Sequence, residues 1–161
     1  MKKQKGFSLI ELLIVVAIIL IIAAIAIPNL LRSRMAANES SAVGSLRTIN
    51  TAEVTYATTY PTVGFGNLST LGGAASSCAG ATFASSSAAC LIDDVLASTA
   101  IKSGYTFTGT AAGGTPAVTY TSLAVPTVNG QTGQRAFCSD QSGVIRYNAG
   151  GTACTNADSA L

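Results

Sequence analysis

The sequence predicts an α+β fold. One long N-terminal α-helix, half of it membrane-spanning, packs its other half on a four-stranded antiparallel β-sheet. Three observations lead there. An unbroken apolar run opens the chain, an apolar stripe at helical spacing continues to Pro61, and short alternating runs fill the C-terminal third.

The apolar run comes first. Every residue from Leu12 to Ile27 is apolar, and extension from Phe7 to Leu31 gives 25 residues. That length spans roughly 30 Å of hydrocarbon. Lys2, Lys3 and Lys5 precede it, so the positive-inside rule places Met1 in the cytoplasm. A cleaved secretory signal has a shorter apolar core, and a plain anchor does not explain Glu11. Between Lys5 and Arg32, Glu11 is the only ionisable side chain. A carboxylate at the centre of a membrane helix costs about 2.5–3.5 kcal/mol on insertion scales, so a partner for it is expected.

Pro28 follows at the end of the run. It lacks an N–H and its ring crowds the carbonyl of Ala24, which predicts a bend, or local melting from about Leu20 when subunits pack. From Asn29 the helical pattern continues to Tyr60 through Leu31, Met35, Ala42, Leu46, Ile49 and Tyr56. Arg32, Arg34, Glu39, Arg47 and Glu53 fall between them and read as a solvated face with salt-bridging capacity toward other copies. Pro61 ends the helix. Phe7 to Tyr60 as one helix is about 80 Å long at 1.5 Å per residue. Only its second half can bury its stripe against a domain of its own. The first half must bury against lipid or other copies, which argues for polymerisation.

Residues 61–101 read as a Ser-, Gly- and Ala-rich loop region with a short helical turn at Leu91–Ser98, where Asp93 and Asp94 face solvent or cap the turn. Four strands follow, near residues 104–110, 117–123, 135–139 and 144–148, with Pro126 stopping the second. Asp140-Gln141-Ser142-Gly143 forms a hairpin turn between the last two. Cys78, Cys90, Cys138 and Cys154 allow three pairings. Cys78–Cys90 with Cys138–Cys154 is preferred, because sequence-local loops need the least rearrangement. A closed loop of about 15 residues gains roughly 3 kcal/mol in the chain-entropy model. Four cysteines without C-x-x-C spacing suit disulfides in an oxidising compartment better than a thiolate metal site.

Composition narrows the function classes. The chain has 161 residues, 48% hydrophobic, with nine Lys and Arg against seven Asp and Glu. Setting aside the three lysines of the first six residues leaves six against seven, or −1. The positive balance therefore belongs to a leader, and no direct nucleic-acid site is readable. Histidine is absent, which removes Ser–His and Cys–His nucleophile pairs and His-ligated metals. No catalytic residues, cofactor or metal site is expected, and the chain does not read as an enzyme.

The string Lys5-Gly6-Phe7-Ser8-Leu9-Ile10-Glu11-Leu12, with the basic leader before it and Pro28 beyond, resembles the class III signal of type IV pilins and of type II secretion pseudopilins. The run from Lys102 to Asn148 is similar to the sheet of pilins in this family. The resemblance implies the type IV pilin fold. It implies cleavage after Gly6 by a prepilin peptidase and N-methylation of the new N-terminus, Phe7. It implies assembly through Phe7, Glu11 and Pro28, with Glu11 pairing the Phe7 amine of a neighbouring subunit. Removing one partner of such a buried pair costs about 3–5 kcal/mol. The Cys138–Cys154 bridge would pin the C-terminal region, as in many pilins. Some pseudopilins bind calcium through C-terminal carboxylates, but Asp140 and Asp158 are the only acids there, fewer than calcium needs.

The implied organisation is a leader at 1–6, an assembly and membrane helix at 7–31, its amphipathic half at 32–60, a loop region at 61–101 and a disulfide-pinned sheet at 102–161. The implied function is major subunit of a type IV pilus for adhesion, twitching or DNA uptake. A secretion pseudopilin acting as a piston is the alternative, and a membrane-anchored periplasmic enzyme a remote one. The implied partners are further copies of the chain, the prepilin peptidase, an inner-membrane platform protein, an assembly ATPase and minor pilins. The implied location is the inner membrane, N-terminus cytoplasmic, then an extracellular filament.

Overall fold

The computed structural model describes residues 7–73, 78 and 84–161. Two compact units divide the chain, one ending at Arg34 and the other running from Met35 to Leu161. Helix α1, Leu9–Thr59, contributes to both and stops just before Tyr60 and Pro61. It is helical through Pro28 without interruption. One missing N–H bends a helix more readily than it breaks one.

Within the second unit the apolar stripe of α1 is the floor of the core. Ala42, Leu46 and Ile49 are wholly buried and Tyr56 nearly so. They meet Tyr105, Phe107 and Phe137 from the sheet. Met35 and Tyr60 are only half-buried and Leu31 is exposed, so the covered part of the stripe is shorter than its sequence pattern.

The sheet has six strands rather than four. β1 (Ile101–Lys102), β2 (Tyr105–Ala112), β3 (Thr119–Pro126), β4 (Ala136–Asp140), β5 (Arg146–Asn148) and β6 (Ser159–Ala160) lie in sequence order, every neighbouring pair antiparallel. The two added strands are two-residue edges. β1 folds back on β2 through a turn at Ser103 and Gly104, both at positive φ. β6 is held beside β5, with Ser159 opposite Tyr147. Pro126 ends β3 as its last residue, opposite Tyr105, instead of lying beyond it. The hairpin between β4 and β5 closes with the Gly143 N–H on the Asp140 carbonyl (2.9 Å) and Gly143 at φ +72°, a conformation an L side chain rarely adopts.

All five residues of β4 are buried. Alternation turns Phe137 and Ser139 toward the helix and Ala136, Cys138 and Asp140 to the other face, where Cys138 is bridged to Cys154. In the 61–101 region, α2 (Leu68–Leu71) buries Leu68 and Leu71. The turn read at Leu91–Ser98 is a single π-helical turn over Val95–Thr99.

Candidate functional site

Gly6 and the three leading lysines lie outside the described residues. From Leu9 onward the first unit is a helix with its apolar side chains in the open. The large apolar residues between Phe7 and Leu31 are 45% to 77% exposed. It is the one helix, among the described residues, that is long and apolar enough to cross a membrane. At 25 cal/mol per Å² of apolar surface removed from water, an exposed leucine, isoleucine or valine stands to gain about 1.5–3 kcal/mol when covered. More than a dozen such residues on one segment form a surface built to be covered.

Glu11 sits in the first turn of α1. Its Oε2 accepts a hydrogen bond from the Ser8 N–H at 2.9 Å. Ser8 immediately precedes the helix and Glu11 is its third residue, so the carboxylate satisfies one of the orphan donors of the helix start. This is the Glu half of a capping box, and the pattern Ser8-Leu9-Ile10-Glu11 spells it in the sequence. Sequence reasoning centred on the missing counter-charge passed over that signal. Capping engages Oε2, and Oε1 accepts no hydrogen bond among the described residues. Pro28 lies within the same exposed segment.

The acids of the second half of α1 turn inward, which corrects the reading of a solvated face. Glu39 is nearly buried. Its Oε1 accepts the Gln134 and Arg135 N–H groups at 3.0 and 3.2 Å. Its Oε2 accepts Arg135 Nε at 2.9 Å and lies 2.8 Å from Nη2. The same guanidinium stacks over Phe137 and Tyr147, 5.4 Å from each ring centre. Burial pushes the Glu39 carboxyl up, but these four donors outweigh it and hold it below the usual range. Glu53 is wholly buried. Its Oε2 accepts the Gly66 N–H at 2.9 Å, and its Oε1 has no partner among the described residues. Burial pushes this carboxyl up to about 7, against the weaker pull of Gly66. Arg32, Arg34 and Arg47 stay exposed and make no ion pair among the described residues.

The cysteines pair as Cys78–Cys90 and Cys138–Cys154. Asp93 caps the π-helical turn through the Leu96 N–H (2.8 Å) and pairs with Lys102 Nζ (2.6 Å). Asp94 precedes that turn and is exposed. Asp140 binds Ser142 through N–H and hydroxyl. Asp158 accepts the Thr155 N–H (2.7 Å) and the Asn148 amide (3.0 Å), which lower its pKa. Both carboxylates thus serve turns, each in its own loop. A groove lined by Thr108, Thr110, Thr121, Cys154 and Asn156 crosses the outer face of the sheet.

Residues 1–27 match the family model of the prokaryotic N-terminal methylation motif. The chain is 62% identical over 40 residues to a type IV wide pilus major component of Thermus thermophilus, covering 25% of this chain and 30% of that one. It is 46% identical over 54 residues to a type IV major pilin of Myxococcus xanthus, covering 34% and 24% respectively. The alignments therefore span less than a third of either relative's length. No solved structure matches.

Proposed function

We propose that this chain, a type IV pilin by its N-terminal segment, is a structural subunit that polymerises into a type IV pilus through the Phe7–Leu31 helix. The observation that carries the reading is the exposed apolar half of α1, with one charged group, Glu11, in its first turn. Prepilin peptidase cleaves after Gly6 and Phe7 becomes an N-methylated first residue. The α-amine so created lies four residues before Glu11, just ahead of the helix start at Leu9. Glu11 keeps its Oε2 on the Ser8 N–H and turns Oε1 to the Phe7 amine of a neighbouring subunit. A carboxylate that is expensive alone and tolerable when paired aligns one copy on the next, because any other axial register leaves both charges unmatched.

Before assembly the subunit spans the inner membrane with its N-terminus in the cytoplasm. A platform protein, an assembly ATPase and minor pilins carry it into the extracellular filament. Matches to major pilins of two pili support the pilus over the secretion piston. Nothing among the described residues supports an enzyme over a structural subunit.

Glu11→Ala is expected to be cut after Gly6 and to reach the membrane, yet to be missing from sheared filaments. Mass spectrometry of the wild-type filaments is expected to find N-methylated Phe7 as the first residue. Filaments built normally from Glu11→Ala would refute the pairing. A first residue at Met1 would refute the assignment of the signal.

A further inference from the structure

The charges at the two ends of the apolar helix are separated by the thickness of a bilayer core. Glu11 and Arg32 are joined by uninterrupted helix. At 1.5 Å per residue their separation is about 32 Å, against about 30 Å of hydrocarbon. Arg34 is about 3 Å farther along and roughly 200° around the axis from Arg32, so the two side chains leave on nearly opposite sides. Both are exposed and neither makes an ion pair among the described residues. The other acids of α1 are already committed, Glu39 to Arg135 and Glu53 to the Gly66 N–H. The outer end of the span is thus cationic all round.

We propose that Arg32 and Arg34 bind phospholipid phosphates in the leaflet beyond the apolar run, and thereby hold Glu11 at the opposite headgroup boundary. This rests on the membrane-embedded subunit proposed above and extends it to the lipid partner. A guanidinium offers a planar fork that matches the phosphodiester oxygens, and its aliphatic stem can lie along the acyl region. Two forks on opposite sides fit a headgroup layer surrounding the helix better than one face of a single protein partner. With the arginines at one boundary, Glu11 reaches the other and keeps contact with water. Its desolvation then falls on the step that lifts the subunit out of the bilayer. At that step the amine of the neighbouring copy becomes necessary. The lipid clamp and the Glu11 pair act in succession, one before extraction and one after it.

The test uses the full chain, purified from membranes and reconstituted in vesicles of phosphatidylethanolamine and phosphatidylglycerol. With arginine side chains carbon-13 labelled at Cζ, solid-state NMR is expected to show through-space contact to lipid phosphorus. Arg32→Gln/Arg34→Gln loses that contact, and Arg32→Lys/Arg34→Lys, labelled instead at lysine Cε, retains cationic anchoring without the fork and shows a weaker one. The chain has no Trp, so Leu13→Trp reports depth cleanly. It lies about 3 Å along the axis from Glu11 and should be quenched several-fold more by headgroup-labelled than by chain-end-labelled lipid. Absence of phosphorus contact in the wild type, or stronger quenching from the chain end, overturns the proposal. So does crosslinking of both arginines to a second copy in place of lipid. Phosphorus contact in vesicles with no incorporation into filaments would support the clamp while refuting the pilus reading, so the two fail separately.

Discussion

Glu53 makes the stability of the second unit depend on pH near neutrality. The carboxyl is wholly buried with one hydrogen bond, from Gly66. The nearby hydroxyls are used elsewhere. Tyr56 donates to the Ser86 carbonyl and Tyr120 to Asn50. Burial moves the group from 4.5 to about 7. Because the folded value is raised, the protonated form favours folding. That contribution is fully present below pH 4.5 and is lost as pH rises through 7. At 1.36 kcal/mol per tenfold change in proton affinity, the full effect is about 3 kcal/mol. Glu53→Gln has nearly the shape of the protonated acid and cannot ionise. Urea unfolding of the detergent-solubilised protein, followed by tyrosine fluorescence, should give similar stabilities for the two proteins at pH 4. By pH 8 Glu53→Gln should be more stable by about 2–3 kcal/mol. Equal stability at pH 8, or the same pH slope in both, would refute the reasoning, since each means the carboxyl reaches water in the folded state.

Glu39 gives a slope of opposite sign. Its folded value is lowered by Gln134 and Arg135, so its contribution is present above pH 4.5 and lost as pH falls. Glu39→Gln should flatten the acid limb of the same titration, and an unchanged limb would show the pair to be idle. Gly133→Ala should destabilise by about 1–3 kcal/mol, because a Cβ there collides with the Tyr105 hydroxyl. Tyr105 is wholly buried and donates to the Arg135 carbonyl, and an unchanged melting temperature would mean that loop is free to move. Cys138→Ser/Cys154→Ser should cost about 2–4 kcal/mol, read by urea unfolding, since it releases the segment covering β4.

The two ends of α1 were legible in the sequence for physical reasons. An apolar run admits no alternative to a helix in lipid, and Pro61 cannot continue one. β2 and β3 were legible through alternation, which reports one buried face, and β4 and β5 through the turn residues Asp140–Gly143 between them. β1 and β6 were not. Two-residue edges carry no period, and β6 exists because neighbouring residues bring it alongside β5. The inward turn of Glu39 and Glu53 was within reach. Each lies seven residues from Leu46, on the same helical face, and an acid in register with the core stripe needs a donor inside. Those donors come from 13 and from 95 and 96 residues away in sequence. No local pattern announces them, so both residues passed for surface.

The inward turn of those acids bears on how a subunit could recognise its neighbour. A helix with alternating exposed charges can pair with a copy of itself in several axial registers, at small cost for each slip. In α1, Glu39 and Glu53 are withdrawn into the fold, and the charges left exposed are Glu11 at one end and Arg32, Arg34 and Arg47 farther on. Opposite signs are then segregated along the axis. The apolar stretch between Glu11 and Arg32 favours burial in any register but specifies none. In the filament proposed above, specification falls to Glu11 and to the amine that cleavage after Gly6 would create at Phe7, the complementary pair near that end among the described residues. Returning a free carboxylate to the outer face of the second half should therefore loosen register without weakening the fold. Thr48→Glu places one there, on an exposed residue whose hydroxyl only bonds back to the Gly44 carbonyl. Its expected signature is unchanged unfolding in urea with filaments of irregular subunit spacing. Filaments of normal spacing from that variant would show that register does not depend on keeping this face free of acids.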